Sequence, residues 1–278
     1  MILVTGSEGF IGKHLIKRLG ELNIDYVPYD LLLGGDITDK AALHRFFDCI
    51  PIDTIIHLAA ITRADESCEA KFISTNVTGT AVLLNVAEQY NVNNIIALSS
   101  SAVYRADWGP QSESTPTDPI SLYGITKLAM ELLCHKSKIP TIIARPFSVY
   151  GKGNADHIIN IWLKQIKNNE PVSFFGDGSI KRGYVYVEDL VDGIIDLLSL
   201  KALVNFVTFN FGGREIITSQ QLLDIFKSVY PDLKVNHLPI PDTCIYDSWP
   251  DISKARSLLD WEPKTNFEEK VKELINVL

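Results

Sequence analysis

Near the start of the chain a short apolar run, Ile2-Leu3-Val4-Thr5, stops at Gly6, and Gly9 and Gly12 follow at three-residue spacing before an amphipathic stretch that continues to Leu22. Such a sequence constrains the backbone severely. A strand that turns at once into a helix needs a residue without a Cβ at the turn, and a backbone that approaches a ligand closely needs the same freedom. The helix that opens there presents unpaired N–H groups and the positive end of its dipole, which suits a pyrophosphate. The segment therefore reads as a dinucleotide cradle, with Gly6, Gly9, Phe10, Ile11 and Gly12 as candidate contacts.

The same alternation continues along the chain. Strand-like runs are expected at Ile2–Thr5, Tyr26–Tyr29, Thr54–Leu58, Ile95–Ser99 and Thr141–Ala144, with helical patterns at Phe10–Leu22, Val77–Tyr90 and Ser121–Lys136. Strands that take turns with helices imply right-handed crossovers and a parallel sheet covered on both faces, hence an α/β, doubly wound parallel-sheet Rossmann fold. After Gly151 the pattern changes. Helices are expected at His157–Lys167, Glu188–Leu200 and Ser219–Tyr230 and a strand at Phe206–Phe211, while Pro231, Pro239, Pro241, Pro250 and Pro263 break the tail into short pieces. The expected division is a dinucleotide-binding domain over residues 1–150, rejoined by segments around 184–211, and a smaller C-terminal lobe over 151–278 that meets the ligand edge of the sheet.

Asp30 closes the second strand 18 residues after Gly12, near the roughly 20-residue spacing at which a carboxylate meets the ribose hydroxyls of an adenine dinucleotide. With no Arg or Lys beside it, it repels a 2′-phosphate, so NAD is expected rather than NADP. Asp36 and Ile37 are candidates for the adenine end, or Asp36 is a turn or cap residue.

Composition narrows the partners. A net charge of −8 lacks the basic field that nucleic acid demands. Apolar runs are too short to span a membrane, and Met1 opens directly on the first strand with no basic stretch ahead of it, so no signal peptide is expected. Cys49, Cys68, Cys134 and Cys244 form no C-x-x-C pair, which argues against a metal site and for a reducing, cytoplasmic setting.

Tyr123 and Lys127 stand at i and i+4, one helical turn apart on one face. A free phenol is a poor base at neutral pH, but a neighbouring ammonium and a nicotinamide cation favour the phenolate, which could then take a proton from an alcohol as its hydride leaves. Lys127 could also hold the nicotinamide ribose. Upstream, Ile95–Leu98 runs into Ser99-Ser100-Ser101, placing hydroxyls at a strand end where a substrate oxygen would lie. No Ser-His-Asp arrangement or nucleophile elbow is present.

In sum these residues resemble the extended short-chain dehydrogenase/reductase family, in its NAD-dependent nucleotide-sugar epimerase/dehydratase branch. The resemblance spans nearly the whole chain and rests on Thr5-Gly6-x-x-Gly9-x-x-Gly12, His57-Leu58-Ala59-Ala60, Asn76-Val77-x-Gly79-Thr80, Ser99 to Tyr104, Tyr123-x-x-x-Lys127, Ala144-Arg145-Pro146-Phe147-Ser148-Val149-Tyr150-Gly151, Gly176-Asp177-Gly178-Ser179-x-x-Arg182, Tyr186 to Asp189 and Asp251 to Ala255. It implies that Tyr123 is the general base and acid, Ser100 the catalytic hydroxyl, and Lys127 the partner of Tyr123. It also implies that Leu58, Ala59, Ala60 and Asn76 meet the cofactor and that the backbone from Pro146 to Val149 cradles the nicotinamide. Ser101, Ser148 and Arg182 are then the candidate substrate contacts, and the C-terminal lobe binds substrate.

Departures are informative. Dehydratases carry an acid pair, and decarboxylating relatives a glutamate, where this chain has Ser101 and Ala102; a 4-epimerase needs neither. Ser148 replaces the usual Asn, Arg105 the usual Gly, and no Arg precedes Asp251, which leaves Arg182 as the best diphosphate clamp. The expected activity is an NAD-dependent nucleotide-sugar 4-epimerase working through a transient keto sugar, as a homodimer. A keto-sugar-nucleotide reductase and a non-catalytic dinucleotide-binding regulator are the alternatives.

Overall fold

The computed structural model describes residues 1–62, 69–105, 109–200, 205–240 and 247–277. Cys68 and Cys244 lie outside the described residues. The chain falls into two compact units: Met1–Arg105, Thr115–Arg145 and Val191–Phe209 in the first, and Ala106–Ser114, Pro146–Leu190 and Asn210–Leu278 in the second.

The first unit is built on a six-stranded sheet. Its strands are β1 (Ile2–Thr5), β2 (Tyr26–Tyr29), β3 (Thr54–His57), β4 (Asn94–Leu98), β5 (Thr141–Pro146) and β10 (Phe206–Phe211), in the order β10-β5-β4-β3-β1-β2. The pairs β1–β2, β1–β3, β3–β4 and β4–β5 are parallel. Every residue of β1, β3, β4 and β5 is buried, which is why these runs are apolar without alternation. The expected doubly wound α/β architecture is present, and its order reverses between β1 and β3. In register, Thr5 stands opposite Tyr29 and His57, so Gly6, Asp30 and Leu58 all leave the same edge of the sheet at the switch point where such folds bind ligands.

The helices of this unit include α1 (Phe10–Glu21), α2 (Lys40–Cys49), a short α3 (Glu69–Lys71), α4 (Thr80–Gln89) and α5 (Leu122–Lys136). α3 passes into α4 through a π-helical stretch, Phe72–Gly79. Ser121 caps α5 by accepting the Gly124 N–H at 3.1 Å, and Asp39 caps α2 by accepting that of Ala42. Leu3, Leu43, Phe47, Ile55, Leu83, Ile95, Met130 and Ile143 belong to one buried core between sheet and helices.

The second unit contains β6 (Val149–Tyr150) paired with β9 (Val185–Tyr186), β7 (Val172–Phe175) with β12 (Val235–Leu238), and β8 (Lys181–Gly183) with β11 (Ile216–Thr218). Here α6 (Ile158–Lys167) and α8 (Ser219–Val229) bring the buried Trp162 edge-on to Phe226 at 5.1 Å, and the indole N–H donates to the Ser173 carbonyl. The tail after Asp247 is more regular than its prolines suggest. It forms α9 (Ser253–Leu259) and an amphipathic α10 (Phe267–Asn276), with Phe267, Val271 and Ile275 buried. The remaining helix, α7 (Val187–Asp196), ends in a 3₁₀ turn over Leu197–Leu200 where one continuous helix was expected. None of the described helices is long and apolar enough to cross a membrane.

Candidate functional site

The glycine turn after β1 leaves no room for side chains. Gly6 has φ +72°, and a Cβ on it would stand 2.6 Å from the Ala59 nitrogen; one on Gly12 would stand 2.2 Å from the Gly6 carbonyl oxygen. Gly9 caps α1 in an extended conformation without any side chain to cover the helix N-terminus. Phe10 and Ile11 follow in the first turn of α1, half-buried.

Beside this turn lies a cavity of about 370 Å³ whose walls belong entirely to the first unit. It brings together the expected residues Gly6, Gly9, Asp30, Asp36, Ile37, Leu58, Ala59 and Ala60. The Asp30 carboxylate is held at the rim by the Glu8 N–H at 3.0 Å and the Leu32 N–H at 2.9 Å. Asp36 closes a tight turn, its Oδ1 accepting from the N–H and hydroxyl of Thr38. Asn76, 2 % exposed, uses its amide on protein: Oδ1 accepts the Ile61 N–H, and Nδ2 donates to the Ile61 carbonyl and to Thr126 Oγ1. It thereby holds the loop that lines the cavity. Tyr29, Ser74 and Thr75 also line it, unforeseen from sequence. Only the π-helical stretch turns the latter two inward, and no local pattern signals it.

At the end of β4, Ser100 caps a 3₁₀ turn, Ser101–Val103, its Oγ accepting the Ala102 N–H at 3.1 Å, and its hydroxyl stands beside the Tyr123 phenol. Burial pushes that phenol up to about 12 and the Ser100 hydroxyl only partly offsets it, so the chain by itself holds Tyr123 protonated. Lys127 lies one turn on, 3 % exposed, and burial pushes it down to about 8 against the opposing influence of Cys134 and Glu131. Among the described residues, its Nζ has no polar contact but the Met130 thioether at 3.8 Å. A buried cation so poorly matched fits a site completed by the hydroxyls of a bound ribose. Ser7 and Ser99 bury hydroxyls that likewise lack a partner among the described residues. With its small-residue cradle, rim carboxylate and under-partnered ammonium, the first unit fits an adenine dinucleotide.

A buried ion pair behind these groups escaped the sequence reading. Arg145 binds Glu131 through two hydrogen bonds, of 2.8 and 2.5 Å, and the Tyr104 hydroxyl at 2.7 Å. Glu131 falls four residues after Lys127 on the same helix face, a spacing that could have exposed it. Burial works against the Arg145 charge, but Glu131 and Tyr104 more than offset it.

The remaining candidates lie in the second unit, apart from Ser101 in the 3₁₀ turn. Pro146 ends β5, and Val149 pairs with Val185 in β6–β9. Between them Ser148 adopts φ +32°, a strained region that Asn tolerates better than Ser. Arg182 lies in β8 and bridges to Ser248; its charge acts on the buried His157 and Tyr184.

The comparisons agree with this geometry. The chain is 32% identical to the UDP-glucuronate 4-epimerase of Thermodesulfobacterium geofontis, over 99% of this chain and 94% of that protein. It is 30% identical to the UDP-glucose 4-epimerase of Lactobacillus helveticus, over 95% and 92%. Among solved structures, the Bacillus cereus UDP-glucuronic acid 4-epimerase in complex with UDP-glucuronic acid and NAD superposes with a TM-score of 0.88 at 26% identity, covering 99% of this chain and 98% of that one. Residues 2–212 of this chain match the model of the NAD dependent epimerase/dehydratase family, and the chain belongs to that family.

Proposed function

We propose that this chain is an NAD-dependent nucleotide-sugar 4-epimerase, with UDP-sugars as the substrate class. The observation that carries the reading is the Ser100 and Tyr123 hydroxyls set together beside the buried Lys127, in the unit whose sheet edge holds the glycine cradle. The relatives named above, with their UDP-sugars and NAD, support the choice of substrate and cofactor. Ser101 and Ala102 stand where elimination would require acids, which favours simple inversion at C4.

Gly6, Gly9 and Gly12 would admit the pyrophosphate to the start of α1, Asp30 would accept the adenosine ribose hydroxyls, and Lys127 would bind the nicotinamide ribose. Pro146 to Val149 would line the nicotinamide with backbone. When bound, NAD supplies reversible hydride acceptance. Tyr123 would take the proton of the sugar O4–H as C4 is oxidised, while the Ser100 hydroxyl would hold that oxygen. Lys127, with the charge of the loaded site, lowers the phenol from its raised value so that it can act as a base. Once the 4-keto sugar is presented by its other face, Tyr123 would give the proton back to O4 as C4 is reduced again. Arg182 would hold the diphosphate, making the second unit the substrate-binding lobe, and Ser101 and Ser148 would face the sugar.

A homodimer and a reducing cytoplasm complete the proposal. The thiols of Cys49 and Cys134 are free, and α5 leaves Ile125 and Leu132 exposed two turns apart, a face suited to a second copy. Incubating the protein with UDP-glucose, UDP-glucuronic acid and their C4 epimers, and resolving the products by NMR, tests the activity. Interconversion that is lost in Tyr123→Phe and Lys127→Met, with the double variant little worse than either, is the expected result. Failure of the wild type to interconvert any UDP-, dTDP-, GDP- or CDP-sugar would sink it.

A further inference from the structure

A chain of buried hydrogen bonds ties the walls of the cofactor cavity together, and a histidine unused by the proposed chemistry sits at its centre. His57, the last residue of β3 and 2 % exposed, has both ring nitrogens bonded: Nδ1 lies 2.7 Å from Thr5 Oγ1 and Nε2 3.0 Å from Thr80 Oγ1. The Thr80 hydroxyl gives its single hydrogen to the Asn76 carbonyl at 2.8 Å. Nε2 must therefore carry the proton, and Nδ1 must accept from Thr5. Thr5 Oγ1 in turn accepts the Ala59 N–H at 3.4 Å. All donors in this chain point one way, from Ala59 through Thr5, His57 and Thr80 to the Asn76 carbonyl.

The Asn76 side chain carries the connection onward. It clamps Ile61 through the two bonds already described and donates to Thr126 Oγ1 at 3.0 Å, and the Thr126 hydroxyl donates to the Tyr123 carbonyl at 2.9 Å. The residues so joined come from distinct elements: Thr5 immediately precedes Gly6, Ala59 and Ile61 lie in the cavity-lining loop after β3, Asn76 is in the π-helical stretch, and Tyr123 is in the first turn of α5.

We propose that His57 is a positioning residue that registers the cofactor cavity against the helix carrying Tyr123, acting as a neutral Nε2–H imidazole that joins one donor to one acceptor. The proposal rests on the NAD-dependent reading above. Burial and then the Lys127 charge push His57 down to about 3, so the ring keeps the neutral form that the chain requires. A primary amide can also accept at one end and donate at the other, whereas an aliphatic side chain can do neither.

The experiment compares His57→Leu, His57→Gln and Thr126→Val for NAD affinity by calorimetry and for kcat. It also measures Tyr123 ionisation in the NAD complex, as the tyrosinate absorbance that each protein loses on Tyr123→Phe. His57→Leu should lower NAD affinity and kcat each by roughly tenfold, as expected for one to two buried hydrogen bonds, and His57→Gln should restore both to within about threefold. Thr126→Val lies beyond Asn76, so it should lower kcat and shift the Tyr123 titration while leaving NAD affinity unchanged. The His57→Leu/Thr126→Val double variant should lose less kcat than the product of the single losses. A folded His57→Leu that matches wild type, a His57→Gln no better than His57→Leu, or multiplicative losses would overturn the proposal. If His57→Leu does not fold, near-wild-type His57→Gln together with the selective loss in Thr126→Val decides for it, and any other pattern decides against. A wild type that binds NAD but converts no nucleotide sugar counts against the epimerase reading alone, because affinity and tyrosinate absorbance still judge His57.

Discussion

Asp30 offers this site a fixed carboxylate and His57 a buried imidazole bonded at both nitrogens. The Asp30 carboxylate is fixed by two backbone N–H groups at the cavity rim, where a 2′-phosphate would meet its charge. Asp30→Ala should therefore reduce the preference for NAD over NADP by about tenfold or more, as read from titrations of both cofactors; tighter binding of NADP to the wild type would contradict the assignment. His57 must instead remain uncharged. Its ordinary value lies near 6.5 and its folded value near 3, so between these limits the unfolded chain binds the extra proton and stability falls as pH falls. The slope approaches about 1.4 kcal/mol per pH unit. Urea unfolding at pH 6.5 and 5 should show a loss smaller by about 2 kcal/mol in His57→Gln than in wild type.

At the scale of elements, α5 links chemistry to the sheet, and the Arg145–Glu131 pair is the fastener. The two side chains are 7 % and 5 % exposed, so removing either partner leaves an uncompensated buried charge. Arg145→Leu should destabilise the protein by about 3–5 kcal/mol in urea unfolding, while Arg145→Leu/Glu131→Leu recovers a large part of that loss. Equal destabilisation in the single and double variants would show that the pair does not act as a unit. The helix itself was legible, since Ser121 is a good cap and the apolar spacing is regular; so were the fully buried strands, whose continuous apolar runs follow from burial on both faces. Other elements were not. The π-helical stretch depends on Asn76 reaching Ile61 and on Gly79, where a Cβ would stand 2.8 Å from Ile37, and both are long-range conditions. α10 escaped because five prolines dominate the preceding tail, although Pro263 falls before the Asn266 cap and leaves the helix undisturbed. The roles of Ser74 and Thr75 were hidden for the same reason as the π-helical stretch that presents them.

Across the whole molecule, the cavity proposed for the dinucleotide and the residue proposed for the diphosphate belong to different units. The cavity that fits the dinucleotide draws its lining from the first unit alone, whereas Arg182 belongs to β8 of the second. Its guanidinium acts on two buried neutral rings, His157, held down near 3 by burial and then by this charge, and Tyr184, held up near 12 by burial with Arg182 opposing. In a chain of net charge −8 a guanidinium is suited to a diphosphate, to which it offers two parallel donors. Contacts of this kind contribute roughly 1.5–3 kcal/mol each, so Arg182→Ala should weaken UDP-sugar binding by about ten- to a hundredfold. Because no wall of the dinucleotide cavity includes Arg182, NAD affinity in the same variant should stay within about twofold of wild type, a difference well below one hydrogen bond. Arg182→Lys keeps the charge but loses the fork, and should recover only part of the affinity. Parallel calorimetric titrations with NAD and with UDP-glucose separate the possibilities: loss of both ligands would mark Arg182 as a structural support for the whole chain, and loss of neither would remove it from the substrate site.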